Sequence, residues 1–121
     1  MPTKPKSNIS NRALSVRQPY AEQIMTGEKK IEYRSRATGF PKRIYIYSGQ
    51  TLTAREKKAY KKMEKEPGDF PVGVVIGTVE IIDCTGSPGD YEWHLVNPKR
   101  LKKPIKPDNR PQPVWFKPFK E

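Results

Sequence analysis

The chain has 121 residues and a mass of 14.0 kDa, enough for one domain and too little for a catalytic module beside a binding one. Lysine and arginine total 24 against 13 acidic residues, a formal net charge of +11, which concentrates anions around the protein and points to a polyanionic partner. The apolar residues fall into strand-like runs, none near the roughly 20 residues of a spanning helix, and a single cysteine, Cys84, excludes an intrachain disulfide.

Residues 1–12 are polar, with Pro2 and Pro5 and no periodicity, and are expected to form a flexible arm ahead of one domain over residues 13–121. Behind Lys4 and Lys6 there is no apolar stretch of the kind a signal peptide carries. With the lone cysteine, this leads to the expectation of a cytoplasmic protein, nuclear in a eukaryote. Ala13 to Arg17 alternates and predicts a short strand with Leu14 and Val16 inward. Pro19 suits the first turn of a helix. Tyr20, Ala21, Ile24 and Met25 share one face of that helix, and Gly27 stops it.

Lys30 to Ser35 alternates again, with Ile31 and Tyr33 on one side and Lys30, Glu32 and Arg34 on the other. Arg43 to Gly49 predicts a third strand. Thr53-Ala54-Arg55-Glu56 has the spacing of a capping box and opens a second helix that ends before Pro67-Gly68. Gly73 to Thr85 is the longest strand signal. Gly77 inside it suggests a bend or a close backbone approach, and its two apolar faces suit a closed or heavily covered sheet. Ser87-Pro88-Gly89 reads as a turn, Tyr91 to Val96 as a strand, and Val114 to Phe119 as the last strand. The prolines from Pro98 to Pro113 exclude a helix between those two strands. The whole predicts an α+β fold, a small barrel of five or six mostly antiparallel strands with two flanking helices.

Candidate chemistry gathers in Arg17-Gln18-Pro19-Tyr20 and Gly27-Glu28-Lys29-Lys30-Ile31-Glu32-Tyr33-Arg34. The first group stands at a helix N-terminus, whose free N–H groups suit an anion. In the second, Glu32 and Arg34 lie on one strand face. If the first two strands are neighbours, Arg17, Glu32 and Arg34 line one cleft; the competing reading is a solvated strand face with a cross-strand ion pair. Tyr20 and Trp93 are the aromatic candidates for stacking on bases, with Tyr33 and Trp115 expected to pack.

The second helix interleaves lysines with Glu56, Glu64 and Glu66 and reads as a solvated face. Lys99 to Lys103 and Lys106 hold no acid among them, so Lys102, Lys103 and Lys106 are the better phosphate-tracking patch. Cys84 and His94 lack a third orienting group and supply no metal-ligand set. No metal or cofactor is expected.

Ser15-Val16-Arg17-Gln18-Pro19-Tyr20-Ala21, followed by Ile24, Gly27, Lys29, Glu32 and Arg34, resembles the signature of ASCH domains, named for their occurrence in an activating signal cointegrator. The likeness continues through Ser48, Gly73, Gly77, Val79, Asp83, Cys84, Trp93, Asn97-Pro98 and Pro113-Val114-Trp115. The resemblance implies a PUA-like β-barrel with a cleft beside the first helix, and a role in binding RNA, DNA or modified nucleosides. Some small bacterial members hydrolyse N4-acetylcytidine with a lysine, a threonine and a glutamate. That lysine falls on Lys29, the threonine position carries Glu32, and the glutamate has no counterpart here. Ribonuclease activity has also been attributed to the family, for which Lys29 with Tyr47 or Ser48 are the candidates.

Three function classes follow, in this order. The first is a monomer that binds RNA, DNA or a nucleotide-like small molecule, with no membrane partner, through Arg17, Gln18, Tyr20, Lys29, Glu32, Arg34, Ser48, Trp93, Lys102, Lys103 and Lys106. The second is a hydrolase of RNA or a modified nucleoside, with Lys29 and Glu32 as its catalytic residues. The third is a coactivator-type protein-interaction module, which leaves the positive charge without a use.

Overall fold

The computed structural model describes residues 9–39 and 43–121. Along the chain it forms β1 (Ile9–Arg17), α1 (Tyr20–Thr26), β2 (Ile31–Arg34), β3 (Arg43–Gly49), α2 (Ala54–Lys62), β4 (Val74–Ser87), β5 (Asp90–Ile105) and β6 (Trp115–Phe116). The first strand starts at Ile9, so residues 9–12, expected in the arm, belong to the sheet. Asn11 accounts for this: its side chain donates to the Phe119 carbonyl at 2.7 Å and accepts from the Phe119 N–H at 3.2 Å. The rest of the expected arm, residues 1–8, lies outside the described residues.

Six strands form one mixed sheet in the order β2-β5-β4-β3-β1-β6. β1 and β3 run parallel and the other neighbours antiparallel. The α+β composition and the two helices are as expected, but the sheet does not close into a barrel. Among the described residues no ladder joins its end strands, β2 with four residues and β6 with two. Pro113 and Pro118 flank β6, and proline supplies no N–H for a ladder, so the last strand is shorter than the Val114–Phe119 run expected for it.

The local signals act as their chemistry requires. Gly27 takes φ 84° behind α1, and its N–H bonds back to the Ile24 carbonyl at 3.1 Å. Thr53 and Glu56 form the reciprocal capping box of α2. A Cβ at Gly77 would collide with the Met25 sulfur and the Lys99 carbonyl, so only glycine lets β5 and α1 approach β4 this closely.

β4 is covered on both faces from Val75 to Val79, and then it changes character. A register shift between Ile81 and Asp83 leaves Ile82 without a cross-strand partner. Ile82 faces outward after the buried Ile81, 55% exposed, and the extra residue keeps Asp83 outward as well, so that Cys84 packs against the core. β5 also runs on past Pro98 and Pro104 to Ile105, so Lys99, Lys102 and Lys103, expected in a proline-rich connection, stand on a strand, and Lys106 follows its end. The main core lies between α1 and the sheet, with Leu14, Ile24, Ile44, Ile46, Ile76 and Trp93 at its centre.

Candidate nucleic-acid interface

β1 delivers Arg17 at its last position, and the chain turns directly into α1, whose first residue is Tyr20. β2 delivers Glu32 and Arg34 two residues apart, hence on one face, and Lys29 precedes it. These five side chains meet at one cleft of about 300 Å³, together with Ser15, Val16, Tyr33 and Arg55. The cleft opens where β2 and β1 fail to pair. Four cations surround it, and among the described residues Glu32 is the one carboxylate in its wall.

Glu32 is buried, and cations hold it from two sides. Nζ of Lys29 lies 3.5 Å from Oε1. Arg34 grips Oε2 with Nε at 2.7 Å and Nη2 at 2.6 Å. The same Nη2 donates to the Ser15 carbonyl at 2.9 Å, reaching from β2 to β1 across the opening. Nζ of Lys29 donates to the Ile31 carbonyl at 2.7 Å and stands 5.3 Å from the centre of the Tyr33 ring. The carboxylate therefore orients two cations toward the cleft, and the remaining positive charge faces solvent.

On the opposite wall the Arg55 guanidinium lies over the Tyr20 ring, 5.0 Å from its centroid. Arg17 reaches back to Glu56 at 3.5 Å. Glu56 is fully buried. Burial pushes its carboxyl up, but bonds from the Thr53 hydroxyl and N–H, with Arg17 beside it, outweigh that and hold it below the ordinary carboxylate range. The end of α2 expected to be a solvated face is thus anchored to the cleft. Arg55 was not among the expected site residues. The capping box places it in a first helical turn, but nothing local says that this turn sits over Tyr20.

Three residues expected to touch a ligand lie elsewhere. Gln18 is 2% exposed and structural: its carbonyl oxygen accepts the Glu22 N–H at 2.9 Å and its amide donates to the Pro71 carbonyl at 3.0 Å. The N-terminus of α1 is thereby occupied by the chain itself. Ser48 is fully buried and donates to the Val74 carbonyl at 3.0 Å. Trp93 is in the core, with its indole N–H on the Arg36 carbonyl at 2.9 Å.

The aromatic assignments exchange. Trp93 packs and stacks on Trp115 at 5.7 Å, whereas Tyr33, expected to pack, is 60% exposed at the cleft. Strand parity sets this, because Trp93 pairs with Glu32 on the covered part of β5 while Tyr33 lies on the outer face of the edge strand β2. Lys102, Lys103 and Lys106 are exposed but do not line the cleft. Arg100 beside them is neutralised by Glu22 through bonds of 2.8 and 2.9 Å. Cys84 pairs with Trp93, so the neighbouring His94 points to the opposite face, where it meets the Thr85 hydroxyl at 2.8 Å. Among the described residues there is no group of three acidic, cysteine or histidine side chains placed to hold a metal ion, and no helix is long and apolar enough to cross a membrane.

Comparison with known proteins adds to this geometry. A family model, the ASCH domain, matches residues 14–105. Activating signal cointegrator 1 of Homo sapiens is 32% identical over 80 residues, and that of Mus musculus is 31% identical over the same length. Each alignment covers 59% of this chain but 14% of the relative, so the chain spans a small part of the proteins it matches. Among solved structures, the ASCH protein of Zymomonas mobilis superposes with a TM-score of 0.61 at 15% identity, covering 87% of this chain and 85% of that one. A variant of the same protein gives 0.62 at 16% identity, with 93% and 89% covered. At such identities the structural likeness speaks for the fold.

Proposed function

This chain belongs to the ASCH domain family, and on that premise we propose that it binds single-stranded nucleic acid, in the first place RNA, or a nucleotide, in the basic cleft between β1, β2 and the two helices. The ASCH domain is a PUA-like fold associated with RNA binding. One observation carries the reading to these residues: Arg17, Lys29, Arg34 and Arg55 converge on a single concave site with Glu32 as the carboxylate in its wall. Guanidinium groups suit phosphate because their fork of donors matches two oxygens at once. Tyr20 and Tyr33 offer ring faces beside those cations for a base to stack on. Glu32 holds Lys29 and Arg34 in place before the ligand arrives, which lowers the ordering cost of binding. A cytosine-like base suits the site, because a carboxylate accepts the exocyclic amine of cytosine.

The test is equilibrium binding of a fluorescent eight-nucleotide RNA and its DNA counterpart across a salt series. Affinity should fall with salt, with a log–log slope of about −0.7 per phosphate contacted. Arg17→Ala and Arg55→Ala should each flatten the slope by about one contact. No binding at low salt refutes the reading and leaves the protein-interaction class.

A further inference from the structure

The cleft does not end at Arg34. Ser15, Arg17 and Arg34 each have a second side, and beyond them lies another hollow of about 350 Å³. Its walls are Tyr47 with the segment 49–51 and the segment 111–114. The two hollows share that neck and differ in chemistry. The first adds Lys29, Arg55 and Glu32 to the shared arginines, while the second adds no charged side chain among the described residues. Positive charge is therefore densest in the first chamber, present at the neck and absent beyond it.

The far wall is built into the sheet. Ser15 ties it down with two groups: its hydroxyl donates to the Gln112 carbonyl at 2.7 Å and its N–H to the Val114 carbonyl at 2.9 Å. Its own carbonyl receives Arg34, so one residue fixes both the wall and the neck. Val114 holds that position with φ 66°, a conformation that costs a β-branched residue on the order of 1–3 kcal/mol and persists only where its surroundings over-determine it. Here the surroundings are the two Ser15 bonds and the pairing of Leu14 with Trp115 one residue on.

We infer that the two chambers are consecutive subsites for one unpaired strand, with Arg17 and Arg34 at the neck taking the phosphate that links two nucleosides. The inference rests on the nucleic-acid reading above and extends it from a nucleotide to a strand. A linking phosphate presents two unesterified oxygens that share one negative charge, and the neck supplies a guanidinium from β1 and another from β2 to meet them. A base with its ribose is uncharged, and the second chamber is a neutral hollow with polar backbone at its rim. Each chamber is at the small end of ligand-site volumes, which suits one nucleoside and excludes a base pair.

The experiment measures binding of a nucleoside monophosphate, the corresponding dinucleotide and a tetranucleotide RNA to the parent chain and to Thr51→Trp and Gln112→Trp. Both of these side chains are exposed in the second chamber and stand outside the first. The parent should bind the dinucleotide at least about tenfold more tightly than the monophosphate, the gain expected from a second stacked or enclosed base. The filled variants should keep the monophosphate affinity, which also reports that they fold, and lose the dinucleotide gain. A parent that binds the monophosphate but gains nothing from the second nucleotide overturns the two-chamber proposal and leaves the single-site reading standing. Filled variants that retain the gain overturn it in the same way. Failure of all three ligands at low salt removes the nucleic-acid reading and this proposal with it.

Discussion

Arg34 donates to the carbonyl of Ser15 across 2.9 Å, and that bond spans the gap between the edge strand β2 and the end of β1 that reaches past the short strand β6. A backbone pairing there would fill the cleft. A single guanidinium instead bridges the gap while leaving its rim open, so the imperfection of the sheet and the existence of the site are one feature.

Removing this bridge should be costly. Arg34→Ala leaves Glu32 buried with only Lys29 beside it, and breaking such a pair from one side is expected to destabilise by about 3 kcal/mol. The double variant Arg34→Ala with Glu32→Gln should recover part of that loss, since the stranded charge is gone. Denaturant unfolding of the parent, the two single variants and the double variant measures the coupling.

Lys102, Lys103 and Lys106 stand outside the cleft, and their contribution should depend on ligand length. Replacing all three by alanine should leave mononucleotide affinity within about twofold. For a long RNA the same change should flatten the salt slope without altering base preference, because phosphate contacts carry no sequence information. Paired titrations with short and long ligands separate the two effects.

Glu56 should make the fold acid-sensitive. Its carboxyl is held below the ordinary range in the folded chain, so its stabilising contribution is present above the unfolded carboxylate value of about 4.3 and is lost as pH falls through the lower folded value. Thermal midpoints measured from pH 7 down to pH 3 should drop for the parent below about pH 4.5. Glu56→Gln should be less stable at pH 7 and show a shallower drop. Parallel curves for the two proteins would contradict the assignment.

N4-acetylcytidine should bind without being hydrolysed. Where the resemblance puts the hydroxyl of the amide-hydrolysing members this chain carries Glu32, whose oxygens face Lys29 and Arg34. Nζ of Lys29 is already engaged by the Ile31 carbonyl at 2.7 Å and by Glu32 at 3.5 Å. Acetate release over a day of incubation, measured by chromatography, should equal the protein-free control. Turnover that disappears with Lys29→Ala would make the hydrolase reading the correct one.

Much of this molecule is visible before any fold is known, wherever a signal is local. The Ala13–Arg17 alternation, the Gly27 stop and the Thr53–Glu56 capping box each act through neighbours in the chain or through their own backbone conformation. The cations Arg17 and Arg34 can be named from spacing because β1 and β2 each present one at readable parity, while Lys29, just ahead of β2, is marked by the family resemblance.

The tertiary structure decided what covers each face. Periodicity pairs Tyr33 with Ile31 on one face of β2, but only the register with β5, where Trp93 meets Glu32, decides which face receives solvent. One bulged residue at Ile82 reverses strand parity, and no composition rule locates a bulge. Arg55 joins the cleft through contacts distant in the chain, its own with Tyr20 and that of its neighbour Glu56 with Arg17, 39 positions away. The opening itself exists because no ladder joins the end strands β2 and β6, a property of the whole sheet that no single segment carries.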